Sequence, residues 1–120
     1  MNPLYTKILT ILLIFMGESI AIYSEMIAAK TNFSSPQTFL HIFLKMFVII
    51  IIAGGFLIAG YMLGFSAFND IWIVSVASIT SILIMEPILA YTIFRQIPTK
   101  GAIIGLVFGF LGFVSALFLR

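Results

Sequence analysis

Residues 46–69, MFVIIIIAGGFLIAGYMLGFSAFN, contain no charged side chain. About 20 consecutive apolar residues suffice for a helix to cross the hydrocarbon core of a bilayer, so this stretch reads as a membrane span. Gly60 and Gly64 read as marking its exit or, with Gly54-Gly55, as permitting close packing or a hinge, and Asn69 or Asp70 is available to cap the helix that follows. Upstream, Ser35-Pro36 reads as the start of the same helix. A Ser N-cap accepts from an orphan N–H, and Pro in the first turn lacks the N–H that would be wasted there. The preceding apolar segment, from about Leu4 to Ala29, is interrupted by Glu18 and Glu25 and ends in the polar run from Lys30 to Ser35. Downstream, a helix from about Ile71 to Phe94 leads into the loop Arg95-Gln96-Ile97-Pro98-Thr99-Lys100, and the charge-free run 101–119 is long enough for a last span. The reading is one domain, 1–120, with helices near 4–29, 36–64, 70–95 and 100–119. These runs are too long for barrel strands and lack strict alternation, whereas helices satisfy their own backbone groups in hydrocarbon. The expected fold class is an all-α integral membrane protein, a four-transmembrane-helix bundle.

Composition agrees. The 120-residue chain is 62% hydrophobic and 8% charged, with a mean hydropathy of +1.26, more apolar surface than one soluble core buries. Loops this short leave no room for a soluble catalytic domain, so no enzyme is expected and function must lie within the bilayer. A net charge of +2 is too small and scattered for a nucleic-acid footprint. With no cysteine and one histidine, no disulfide, metal site or cofactor is expected. The Lys7–Phe15 stretch resembles a secretory signal, but Gly17-Glu18 interrupts it, and we read an uncleaved first span. Asn32-Phe33-Ser34 matches a glycosylation acceptor and is read as coincidence.

Four helices place both termini on one side of the membrane. That side holds Lys7 and Arg120, and the other holds Lys30, Arg95 and Lys100, with Lys45 nearby. So weak a bias permits insertion either way, a precondition for an antiparallel dimer.

An ionisable group near the bilayer centre costs at least about 2.5 kcal/mol, so each needs a partner, a cavity or a function. Glu18 lies near the middle of the first helix, and Glu25, seven residues on, returns to nearly the same face. The pair is either a proton or cation site or two carboxyls packed against other helices. Glu86 and Lys45 match in depth from one membrane side, which makes a Glu25, Lys45, Glu86 cluster geometrically possible, with Lys45 as its ion-pair candidate. Lys45 has an alternative in snorkelling outward, and His41, one turn earlier, reads as interfacial.

The third helix has a polar face of Trp72, Ser75, Ser78 and Glu86, which could line a pocket, although membrane serines often only back-bond or pack. Pro87 removes a backbone bond and crowds the Leu83 carbonyl, so a kink beside Glu86 is expected. The last helix carries Gly101, Gly105, Gly109 and Gly112 as a small-residue ridge for close helix packing, within the chain or between two chains.

Glu86-Pro87-Ile88-Leu89-Ala90, then Phe94-Arg95-Gln96-Ile97-Pro98, then Ala102-Ile103-Ile104-Gly105 with Gly109 and Gly112, resembles the end-of-repeat pattern of EamA-type domains in the drug/metabolite transporter superfamily. Met1-Asn2-Pro3 and Glu18 after Gly17 are similar to the pattern of the four-helix small multidrug resistance proteins, in which a first-helix carboxylate is shared between protons and cationic substrates. Trp72 resembles that family's third-helix tryptophan. The resemblance implies a small multidrug resistance-like bundle in a prokaryotic cytoplasmic membrane. It also implies a homodimer whose cavity is lined by Glu18, with the last helix as seam, exporting small cationic or amphipathic compounds in exchange for protons. Two other readings stand beside it: a non-transporting assembly or accessory protein in which the charged residues form only a structural network, and a flippase-like subunit for a lipid-linked metabolite. A central carboxyl without an available cation favours transport, and Glu–Lys pairing of every carboxyl favours the structural network.

Overall fold

The computed structural model describes residues 2–31 and 34–119. Met1, Asn32 and Phe33 of the acceptor-like tripeptide, and Arg120, counted among the terminal-side charges, lie outside the described residues. The chain is all-helical: α1 is Pro3–Lys30, α2 Pro36–Phe68, α3 Ile71–Phe94 and α4 Lys100–Phe118. All four are long and apolar enough to cross a membrane, which makes this an integral membrane protein.

Each helix starts where a short polar side chain meets an orphan N–H. Asn2 accepts from the N–H of Leu4, Ser35 from Thr38, Asp70 from Trp72 and Thr99 from Ala102. Proline follows the cap directly in α1 and α2. Asn69 and Arg95 end α2 and α3 in the left-handed region, at φ 55° and 58°, their N–H groups returning to the carbonyls of Phe65 and Tyr91.

Gly60 and Gly64 do not end α2, which continues through them to Phe68. They are instead where α1 presses closest. A Cβ on Gly60 would stand 2.7 Å from Ile14 Cγ1, and one on Gly64 would stand 2.8 Å from Thr10 Cγ2 and 2.9 Å from Val74. Gly17 of α1 reciprocates, facing Leu57 and the Ala53 carbonyl. Without a hydrophobic drive between helices in lipid, such close backbone approach supplies the van der Waals contact that holds them.

α1 packs against both α2 and α3, α2 touches α3 more sparingly, and α4 packs on α3 alone. The result is a slab of 50 × 36 × 18 Å with a radius of gyration of 16.5 Å, against about 14 Å for a compact domain of this length. Thr10, Gly64 and Val74 meet at one level, and Lys30 Nζ donates to the Ile93 carbonyl at 2.7 Å. α1 and α3 therefore run parallel, with α2 antiparallel between their ends.

The glycine ridge of α4 is mostly uncovered. Gly109 packs against Leu83, but a Cβ on Gly101, Gly105 or Gly112 would meet nothing within 4 Å. Within one chain the close-packing glycines are Gly17, Gly60 and Gly64 of the α1–α2 seam and Gly109 against α3, and the rest of the α4 ridge is uncovered because only α3 touches that helix.

Candidate functional site

Glu18 lies about 2 Å along the axis from the middle of α1, counting 1.5 Å per residue. It is half-buried. Ser78 of α3, which retains 6% of its surface, donates its hydroxyl to Glu18 Oε1 at 2.6 Å. The nearby intramembrane hydroxyls of Thr10, Ser19, Ser24, Thr80 and Ser81 instead donate to carbonyls of their own helices. Ser78 thus joins two helices where its neighbours back-bond. A hydroxyl can donate to a carboxylate or accept from a carboxylic acid, so this contact survives either protonation state of Glu18. No buried side-chain oxygen among the described residues lacks a partner, and Ser78 is the hydrogen-bond partner found for Glu18 there. The second carboxyl oxygen is consequently open to its surroundings.

Beside this pair runs a groove of about 890 Å³, with α3 as its floor and α1 and the C-terminal half of α4 as its walls. Its floor includes Trp72, Val76, Ala77, Thr80 and Ser81, its α1 wall Ile11 and Phe15, and its α4 wall Phe113 and Ala116. The groove exists because α4 stands off α1. Glu18 does not line it, but follows Phe15 by about one turn on the same side of α1, while Ser78 is flanked along α3 by the lining residues Ala77 and Thr80. The carboxyl lies in the seam that forms the back of the groove. A smaller cavity of about 240 Å³ separates α3 from α4 around Leu83, Pro87 and Phe110. Pro87 thereby faces α4 while α3 continues helical through it.

The other sequence-expected residues are dispersed. Trp72 lines the groove's outer end and is 75% exposed. Ser75 is half-buried and belongs to neither cavity. Glu25, Lys45 and Glu86 are all exposed, and among the described residues no ion pair or hydrogen bond joins them. The expected cluster is therefore not formed, and Lys45 has neither carboxyl as its partner. Matching depth gave these residues a common level but left their directions open. Glu86 precedes Pro87 by one position, about 100° around the helix, so with Pro87 turned to α4 the carboxylate is turned away from that packing. Likewise Glu25 repeats the direction of Glu18 but no neighbouring side chain closes over it.

The face of α3 that forms the groove floor was not legible as such. Trp72, Val76 and Thr80 recur every four residues, with Ala77, Ser81 and Ile84 alongside. That stripe is visible in the sequence, but nothing distinguishes it from an ordinary packing face until α4 is known to stand away.

Compared with known proteins, the chain matches no family model, and no curated protein or solved structure is significantly similar to it. Among the described residues no group of three His, Cys, Asp or Glu side chains is placed to hold a metal ion.

Proposed function

We propose that the protein is a small membrane transporter that couples export of small cationic or amphipathic compounds to proton entry, with Glu18 as the coupling carboxyl. One observation carries the reading: Glu18, at mid-membrane depth, has a hydroxyl rather than a cation as its partner. A carboxyl already neutralised by lysine has little reason to trade a proton for a substrate, whereas one held by a hydroxyl keeps its charge available. The open second oxygen is where a proton or cation would exchange. The small multidrug resistance-like arrangement, antiport and residence in a prokaryotic cytoplasmic membrane belong to the same proposal.

We place the functional unit as a homodimer. A chain this small offers a groove, open on the side where α4 leaves α1, rather than an enclosed path. The uncovered Gly101, Gly105 and Gly112 let a second backbone approach α4 closely. Exposed Glu25, Lys45 and Glu86 favour a second reading, a non-transporting accessory subunit whose membrane partner satisfies these charges.

Proton flux in proteoliposomes challenged with a panel of small cations, comparing the parent chain with Glu18→Gln, separates the two. Flux that requires Glu18 supports the transporter, and absence of flux under every condition supports the accessory protein.

A further inference from the structure

The groove between α1, α3 and α4 has a polarity that changes along its length. From Trp72 to Ile84 it extends about 18 Å at 1.5 Å per residue. One leaflet's share of a hydrocarbon core about 30 Å thick is roughly 15 Å. Its outer end, at the start of α3, carries Asp70 and Trp72, with Lys7 Nζ 5.4 Å above the ring of Phe68, another residue of that end. Tryptophan and snorkelling lysine at this level are the side chains of a membrane–water interface.

Farther in, the lining changes character. Three hydroxyls border the groove, those of Thr10, Thr80 and Ser81, and each already donates to a carbonyl of its own helix. Their protons are spent, and the remaining inner surface is aliphatic and aromatic. A compact polar solute entering this space would lose hydration without finding donors. A hydrocarbon chain would lose nothing there.

We infer that the groove seats a single hydrocarbon chain with its head at the interfacial end, so that the compound handled is a long-chain amphiphile taken from the leaflet nearest the termini. This names a substrate class for the transporter reading and rests on that reading for its role in transport. Chain occupancy itself stands on the groove alone. Because α4 packs on α3 and not on α1, the seat is open sideways, and a chain enters from the leaflet without crossing water. Glu18 lies in the seam behind the chain and not in the seat itself.

The test uses the full chain in phosphatidylcholine vesicles with palmitoyl lysophosphatidylcholine carrying a photoactivatable diazirine in its chain. Adducts are mapped by peptide mass spectrometry with and without excess unlabelled lysophosphatidylcholine. The expected result is labelling concentrated on 77–84 and 11–15 and removed by the competitor. Ala77→Trp, which fills the groove, abolishes it, and Ile79→Trp, on an exposed position outside the lining, leaves it intact. If Ala77→Trp does not fold, competition on the unsubstituted chain decides. Labelling spread evenly over the lipid-facing helices, with Phe39, Phe43 and Phe47 of α2 marked as strongly and no competition, overturns the inference. The Glu18→Gln flux assay is independent. Competed groove labelling with no flux under any condition leaves the seat standing and removes the transporter reading, and Glu18-dependent flux without competed groove labelling does the reverse.

Discussion

Ser78 donates to Glu18 across the α1–α3 seam at 2.6 Å, tying the mid-membrane carboxyl of α1 to a buried hydroxyl of its neighbour. This bond fixes the rotation of the two helices and supplies a partner that works in either direction as the carboxyl gains or loses a proton. Both roles can be separated by substitution.

Ser78→Ala removes the bond and leaves Glu18 Oε1 without a donor. The expected cost is about 1–3 kcal/mol of stability, the penalty for stranding a partly buried polar group. Chemical denaturation in detergent micelles, followed by circular dichroism, checks it. Unchanged stability would mean that the hydroxyl contributes nothing to holding α1 on α3.

The α1–α2 seam depends on missing side chains. Gly60→Val or Gly64→Val drives new atoms into Ile14, or into Thr10 and Val74, and should destabilise by about 1–3 kcal/mol or more. Gly54→Ala and Gly55→Ala meet nothing within 4 Å and should be neutral or stabilising by about 0.5–1 kcal/mol, since alanine is the better helix former. Thermal unfolding of the four variants is the measurement, and equal effects in both pairs would contradict the packing described.

Along α4 the same contrast separates folding from assembly. Gly105→Leu projects into open space and should leave the single chain's stability unchanged while lowering the dimer fraction in detergent cross-linking. Gly109→Leu collides with Leu83 and should destabilise the chain itself. A dimer indifferent to Gly105→Leu would move the seam elsewhere.

Much of the architecture was legible because helix starts have local causes. Ser35 before Pro36 and Asp70 before Ile71 each put an acceptor beside an orphan N–H. What a helix meets has no such local cause. Glu18 and Ser78 were each singled out, but spacing fixes a residue's direction around its own axis and leaves open which neighbour lies there. For the same reason Glu25, Lys45 and Glu86 shared a depth without sharing a site. The α4 glycines formed a ridge that only Gly109 uses within the chain, while of the two readings open to Gly60 and Gly64, an exit or a packing site, the structure takes the packing one. A glycine permits an approach or a turn equally, and its sequence position does not say which.

Lys30 offers a smaller test of how the helix ends are tied. Its ammonium donates to the Ile93 carbonyl in the last turn of α3, where backbone acceptors otherwise lack intrahelical partners. Lys30→Met should accelerate amide hydrogen exchange in that turn while leaving the Glu18–Ser78 level protected. Exchange that rises equally along α3 would show that the lysine supports the whole seam instead.

The most direct measurement of the central claim is proton flux driven by an added amphiphilic cation in proteoliposomes, compared between the parent chain and Glu18→Gln. Gln keeps the size of the side chain and an oxygen to accept from Ser78, but has no proton to release. Substrate-driven flux is expected in the parent and none in the variant, with folding and dimerisation retained. Flux of equal size in the Gln variant would show that Glu18 is not where proton and substrate exchange.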